Sequence, residues 1–234
     1  MQAVILAGGK GRRLHPYTTV LPKPLMPIGD YPILEVILRQ LKNRGFDDIV
    51  ISTGYLHEII CAYLKSGSHT DLPVRFSHED EPLGTIAPLH LIDGLEDDFL
   101  VMNGDILTDL DYGELMRYHK DKGALATIAT YQRDVNIDFG VLEADDSGRI
   151  RKFIEKPDYH FSVSMGVYVF SREVLSHVPE GVHYGFDDLM EDLTLSGSDV
   201  YSYPYDGYWL DIGRPDDYAR SVEEFERYRD RFLR

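Results

Sequence analysis

Apolar and polar positions follow two regimes along the chain. Up to about residue 123, short uninterrupted apolar runs alternate with stretches of helical period; beyond it, strand-like runs follow one another closely. The first run, Ala3 to Ala7, is apolar at every position, as a strand buried on both faces requires. It stops abruptly at Gly8-Gly9-Lys10-Gly11, followed by Arg12 and Arg13. PILEVILRQLKNRG then predicts a helix with Pro32 near its first turn and Gly45 past its end, and Asp30 is a suitable N-cap. Asp48 to Thr53 (DIVIST) predicts a β-branched strand, and LHEIICAYLKSG an amphipathic helix ending at Gly67. Val74 to Ser77 reads as a strand, and Glu81-Pro82-Leu83-Gly84-Thr85 leads into an apolar, helical segment through Ile92. Phe99 to Met102 is a buried strand ending in Asn103-Gly104-Asp105, and Asp111 to Gly123 brackets another helix. Strand and helix at this spacing imply βαβ units around a mainly parallel sheet.

The second half is strand-rich: ALATIATY, FGVLEAD, RIRKFIEK and SVSMGVYVF are joined by short connections, with Asp145-Asp146-Ser147-Gly148 as a hairpin turn. A capped helix is expected from Asp187 to Leu195 and a long charged one from about Pro215 to Leu233. No Pro/Gly/Ser-rich linker separates the halves and no internal repeat is present. The expectation is one domain over 1–234, with about 1–123 as one half and about 124–234 as a strand-rich lobe built onto the same sheet. Tyr201, Tyr203, Tyr205 and Tyr208 read as edge-strand and rim packing.

Composition narrows the partners. The chain has 234 residues, 43% hydrophobic and 27% charged, which suits a globule with a sizeable core. A formal charge of −16 argues against a broad basic surface for a nucleic acid polymer, while leaving room for a mononucleotide held by local cations. The first apolar run has no basic flank and is too short for a signal peptide or a membrane span, so a cytoplasmic protein is expected. Cys61, the single cysteine, fits a reducing compartment and falls in an apolar helical pattern, as a packing residue does. The nine histidines show no metal-ligand spacing.

Candidate chemistry concentrates at predicted strand ends, where open α/β sheets bind their ligands. Glycines without Cβ let backbone N–H groups approach an anion, and successive N–H groups form a nest for phosphate. Arg12, Arg13 and Lys23 add positive charge to the loop, which calls for a phosphorylated ligand in a chain this acidic. The dinucleotide pattern G-x-G-x-x-G fails because Leu14 stands at its third glycine, and no G-x-x-x-x-G-K-[ST] is present. Asn103-Gly104-Asp105 offers a carboxylate for a divalent ion, although the tripeptide alone equally describes a turn or a cap. Asp211, within Trp209-Leu210-Asp211-Ile212-Gly213, reads alone as a hydrogen-bonded buried aspartate. Glu155-Lys156 reads alone as an exposed charge pair, and Gly140 as a strand-entry glycine.

Taken together, LAGGKGRRLHPYTTVLPKPLMP, EDEPLGT, NGD, EKP and WLDIG resemble, in order, the motifs of sugar-1-phosphate nucleotidyltransferases. The resemblance runs from Gln2 to about Tyr218. It implies a Rossmann-like three-layer α/β sandwich with a mainly parallel central sheet, a strand-rich sugar-binding lobe and, here, no C-terminal left-handed β-helix. It implies the reaction NTP + sugar 1-phosphate → NDP-sugar + pyrophosphate, with Arg13 and Lys23 catalytic. Nucleotide contacts are implied for Leu6, Ala7, Gly8, Gly9, Gly11, Arg12, Arg13, Lys23, Gly84, Thr85, Asn103 and Asp105. Gly140, Glu155 and Lys156 are implied to hold the sugar phosphate, and Asp105 and Asp211 a Mg²⁺ that Mn²⁺ can replace. The substrates are small molecules, and the oligomeric state is left open, a homodimer included. PKPLMPIGDYPILE and EDEPLGT are closest to the mannose-1-phosphate or heptose-1-phosphate guanylyltransferase branch, which implies GTP. A glucose-1-phosphate thymidylyl- or uridylyltransferase, or a catalytically silent sugar-nucleotide-binding regulatory module, are the other readings. Arg12 stands for the family's Thr, Tyr17 for Leu, and Ile86-Ala87 for Ala-Gly. Ser164-Met165-Gly166 stands for Asn-Ala-Gly, which removes an amide from the sugar side.

Overall fold

The computed structural model describes residues 1–66 and 72–233. Its first half builds β1 (Gln2–Ala7), two-residue strands β2 (Pro27–Ile28) and β3 (Tyr31–Pro32), α1 (Ile33–Asn43), β4 (Asp48–Thr53), α2 (His57–Lys65), β5 (Val74–His78), β6 (Asp98–Asn103), β7 (Ile106–Thr108) and α3 (Tyr112–Lys122). The second half adds β8 (Ala126–Asn136), β9 (Val141–Ala144), β10 (Ile150–Ile154), β11 (Asp158–Ser171), α4 (Phe186–Leu195), β12 (Val200–Tyr205), β13 (Trp209–Asp211), α5 (Pro215–Arg227) and α6 (Arg229–Phe232). Strands from both halves join one seven-stranded sheet in the order β12-β8-β11-β6-β1-β4-β5. Pairing is parallel except on the two sides of β11, which runs antiparallel to both β6 and β8. The α/β sandwich with a mainly parallel sheet is therefore as the sequence implies.

The continuous apolar character of β1 has its expected cause. Ala3, Ile5 and Ala7 face a core shared with α1 and the C-terminal Phe225 and Phe232, while Val4 faces a second core with Leu89, Leu189 and Leu193. Helices therefore cover both faces of the strand. Local signals held well at α3, where the Asp111 carboxylate accepts from the Gly113 and Glu114 amides and Gly123 closes the helix in the left-handed region. The edge-strand tyrosines pack as expected: Tyr203 meets Tyr118 edge to face with ring centroids 5.1 Å apart, and Tyr205 OH bonds Asp109.

Three expectations are corrected. Asp30 does not cap α1, whose N-cap is Pro32; the tight β2–β3 hairpin turns Asp30 outward to pair with Arg229 instead. The segment before Ile92 is a 3₁₀ helix over Ala87–Leu91 rather than an α-helix, and the amides at its start, Ile86 and Ala87, both donate to the Tyr184 carbonyl. The C-terminal helix breaks at Tyr228, and α6 turns so that Phe232 is fully buried. Gly67, the expected end of the second helix, lies outside the described residues. Among the described residues no helix is long and apolar enough to cross a membrane.

Beyond the sheet, β8 and β11 continue as a two-stranded ribbon from Tyr131–Val163 to Asn136–Asp158. Ile137 N bonds Pro157 O at 3.1 Å, and the chain then forms the separate β9–β10 hairpin. Asp145 builds the predicted turn by accepting from the Ser147 and Arg149 amides. Together these strands form an arm.

Candidate active site

The sheet order reverses between β1 and β6, so the carboxyl ends of those strands part to leave a crevice. A cavity of about 950 Å³ opens there, within the size range of small-molecule sites. Every residue implied for the nucleotide lines it: Leu6, Ala7, Gly8, Gly9, Gly11, Arg12, Arg13, Lys23, Gly84, Thr85, Asn103 and Asp105.

Two glycines of the loop, Gly8 and Gly11, are required by close approach. A Cβ on Gly8 would sit 2.7 Å from Glu79 Oε1, and Gly11 holds φ +57° with Thr18 Cγ2 2.9 Å from where its Cβ would lie. Thr18 Oγ1 donates to the Gly11 carbonyl at 2.9 Å, which pins the loop. Three 3₁₀ turns follow, at Arg12–Leu14, Tyr17–Thr19 and Lys23–Leu25. Buried Leu14 anchors the first while Arg12 and Arg13 stay exposed; the third sinks Lys23 until it is 8% exposed. Lys23 Nζ there contacts the Asp105 carboxylate.

Asp211 reaches the same corner from the far end of the sequence. β13 pairs with β7 so that Asp211 opposes Ile106, and Ile212 N donates to Asp105 O at 3.1 Å. Burial pushes the Asp211 carboxyl up, the negative charge of Asp105 adds to this, and Lys23 and Arg13 oppose it. Asp211 Oδ2 and Arg13 Nη1 lie 3.0 and 3.1 Å from the position a Cβ would take on Gly213. Two carboxylates and two cations therefore share one corner. Hard oxygen donors at adjoining strand ends, one of them desolvated beside a like charge, suit a Mg²⁺ that takes its other ligands from phosphate and water. Among the described residues no three His, Cys, Asp or Glu side chains gather as a closed metal site.

The sugar-side residues lie apart: Gly140, Glu155 and Lys156 are on the arm and do not line the cavity. Gly140 packs on the Phe153 ring, its missing Cβ 2.6 Å from Cε2, and lies beside Glu155 Oε2. Lys156 is exposed and holds φ +42°, an uncommon conformation for a side-chain-bearing residue. The sugar-side departure from the family motif falls at a bulge of β11 between Ser164 and Tyr168. Met165 there points into the core, while Gly166 (φ +72°) has Asn103 Nδ2 2.5 Å from where its Cβ would lie.

Other cavity residues escaped sequence reading. Tyr55, His78, Glu79 and His183 all line it. The first three sit at or just past the carboxyl ends of β4 and β5, so parallel topology was the signal that pointed to them. Glu79 ties three segments: its amide donates to Thr53 O, its side chain packs on Gly8 and Gly54, and its Oε2 accepts from Leu83 N at 2.9 Å. Gly84 (φ +93°) has the Tyr184 carbonyl oxygen 2.6 Å from where its Cβ would lie, and Thr85 Oγ1 accepts from Phe186 N at 2.8 Å. Cys61 is half-buried and unpaired by disulfide, its thiol pushed up by burial.

Residues 2–227 match the family described as nucleotidyl transferase. The chain belongs to that family. Among curated family members, it is 35% identical over 242 residues to a UTP–glucose-1-phosphate uridylyltransferase of Synechocystis sp., covering 95% of this chain and 62% of that one. It is 32% identical over 231 residues to mannose-1-phosphate guanylyltransferase 1 of Arabidopsis thaliana, covering 95% and 64%. The chain thus spans a little under two thirds of the length of these relatives. Among solved structures, the crystal structure of HddC from Yersinia pseudotuberculosis superposes with a TM-score of 0.75 at 27% identity, covering 96% of this chain and 99% of that one. HddC has also been crystallised in complex with GMP-PN.

Proposed function

We propose that this chain transfers a nucleoside monophosphate from an NTP to a sugar 1-phosphate, giving an NDP-sugar and pyrophosphate. The observation that carries the reading is the corner where Arg13, Lys23, Asp105 and Asp211 meet beside the glycine nest. Attack of the sugar phosphate oxygen on the α-phosphorus needs alignment and charge neutralisation more than covalent help. The glycine loop amides would hold the triphosphate. Arg13 and Lys23 would neutralise the charge that develops as pyrophosphate leaves. Gly84 and Thr85, tied to Tyr184 and Phe186, would form the base-side wall. Lys156 would hold the sugar phosphate, with Glu155 and Gly140 against the sugar. Asp105 and Asp211 would hold Mg²⁺, or Mn²⁺ in its place, which when bound supplies charge stabilisation at the phosphates. A silent binding module has less need of all four corner residues.

The nucleotide in this proposal is GTP and the sugar mannose- or heptose-type, supported by the wording of the two loops and by relatives named as guanylyltransferases. A second reading, UTP with glucose 1-phosphate, is favoured by the 35% identity to the uridylyltransferase. The proposed setting is the cytoplasm, where Cys61 stays a thiol. A pyrophosphate-release assay of each NTP against a panel of sugar 1-phosphates tests all of this. Turnover greatest with GTP and a manno-configured sugar is expected. UTP or dTTP used as well as GTP removes the base assignment, and no turnover with any pair removes the reaction.

A further inference from the structure

The corner that carries the chemistry is electrically balanced. Lys23 contacts the Asp105 carboxylate, and Arg13 and Asp211 converge on Gly213, so two cations there face two carboxylates. Such a corner has little charge left over for a polyphosphate. Of the cavity's other carboxylates, Glu79 is taken by the Leu83 amide and Asp80 lies beside His78. Elsewhere in this acidic chain arginines pair off: Arg75 with Asp48, Arg172 with Asp97, Arg229 with Asp30. Arg12 differs. It is exposed and lines the cavity, and among the described residues it has no carboxylate partner. The same holds for Lys10, two positions earlier. The 3₁₀ turn Arg12–Leu14 sends successive side chains in three directions, about 120° apart. Leu14 takes the core and Arg13 the side of Gly213, which leaves Arg12 the remaining side. A Cβ on Gly9 would meet nothing within 4 Å, so the loop surface next to these cations is open.

We propose that the Arg12 side chain grips the pyrophosphate end of the NTP and holds it as it leaves, a role that rests on the reaction proposed above. When the sugar phosphate oxygen bonds to the α-phosphorus, the bond from that phosphorus to the bridging oxygen breaks. The electron pair stays on the bridging oxygen and no proton moves, so the charge brought by the sugar phosphate ends on the departing pyrophosphate. Arg13 and Lys23 are already matched by carboxylates, and Arg12 supplies the unmatched charge. Its guanidinium is a planar fork of N–H donors that fits two phosphate oxygens, through bonds about twice as strong as neutral ones. Threonine, which the family motif has at this position, offers one hydroxyl and no charge. Attack is in line, so the second phosphate of the NDP-sugar lies on the opposite side of the α-phosphorus. Arg12 therefore distinguishes pyrophosphate and NTP from the NDP-sugar.

The test is titration calorimetry with magnesium pyrophosphate, which needs no turnover and so decides the grip even where no substrate pair reacts. Arg12→Thr should weaken pyrophosphate binding about tenfold, the loss of one charge-assisted contact at an exposed site. Arg12→Lys should recover part of it, since it restores the charge without the fork. Arg117→Thr removes the same charge from α3, outside the cavity, and should leave the affinity unchanged. Circular dichroism should be the same for all four proteins. The NDP-sugar that binds the wild type, from GDP-mannose and UDP-glucose, should bind Arg12→Thr equally well. The proposal is overturned by a wild type that does not bind pyrophosphate, or by equal pyrophosphate affinity in wild type and Arg12→Thr. An equal loss in Arg117→Thr, or an equal loss for the NDP-sugar, overturns it as well, since Arg12 would then act only through net charge.

Discussion

The cavity floor and the arm hold the two sets of implied site residues in opposite ways. On the floor, each functional group is fixed by something the core has already decided. Lys23 is buried against Asp105, Asp211 arrives on a strand paired to β7, and Gly84 abuts the Tyr184 backbone. On the arm, Glu155 and Lys156 are exposed, and Lys156 adopts a left-handed backbone without glycine. A group that neutralises charge in the transition state gains from being preorganised. A group that captures a mobile substrate gains from access. On the proposed roles, chemistry would thus fall to buried, tethered groups and capture to exposed ones.

The largest effect is expected at the floor. Lys23→Ala should lower kcat by about 10²–10³-fold while changing NTP affinity far less, because its contribution falls in the transition state. Asp105→Asn and Asp211→Asn should each remove most turnover, and the double variant should cost little more, as expected of groups acting as a unit. EDTA should stop the wild type and Mg²⁺ or Mn²⁺ should restore it. Steady-state kinetics with isothermal titration of NTP checks all three; equal losses in affinity and turnover would erase the division. Asp105→Asn should also lower stability, since it leaves the buried Lys23 ammonium without its carboxylate.

Next comes the tether behind the base-side wall. Gly84→Ala forces a Cβ into the Tyr184 backbone at a positive φ, and should cost roughly 2–4 kcal/mol in denaturant unfolding. A neutral result would mean that the 84–184 contact is loose.

On the arm, Lys156→Ala should raise the sugar-phosphate KM about tenfold with kcat nearly kept, the reverse of Lys23→Ala. The same loss of kcat in both variants would show that Lys156, like Lys23, acts in the transition state.

The smallest effect is a gain. A carboxyl whose native pKa is raised binds more protons folded than unfolded, so its contribution to stability falls as pH rises through the carboxylate range. Asp211→Asn removes that desolvated charge. Its Tm should therefore exceed that of wild type near pH 8, with the gap closing on acidification. A gap that widened towards acid would reverse the sign of the shift.

How much of this was legible in the sequence follows the reach of each cause. β1 and its glycine turn, α3 with its two caps, and the Asp145 hairpin rest on neighbours a few residues apart, so the local pattern revealed them. Asp30 misled because the β2–β3 hairpin intervenes between it and α1. The 3₁₀ turn at Ala87–Leu91 and the role of Glu79 depend on Tyr184 and Gly8, about 70–100 positions away, and no local signal encodes them. The convergence of Asp105 with Asp211 was legible only through the resemblance, since the β7–β13 pairing that creates it has three residues on each strand.

β11 is one strand of 14 residues with two environments: Met165 to Phe170 are buried in the sheet, and its beginning at Asp158 stands in solvent next to Pro157 and Lys156. Mechanically it is a lever. The bulge at Ser164–Tyr168 interrupts its pairing with β8, and Gly166 lies pressed against Asn103 there. From Gly166 to Asp158 the strand spans roughly 26 Å at ~3.3 Å per residue, so a rotation of about 5° at the bulge carries the outer end about 2 Å. A displacement of the outer end would therefore reach Asn103, at the edge of the cavity, reduced in amplitude.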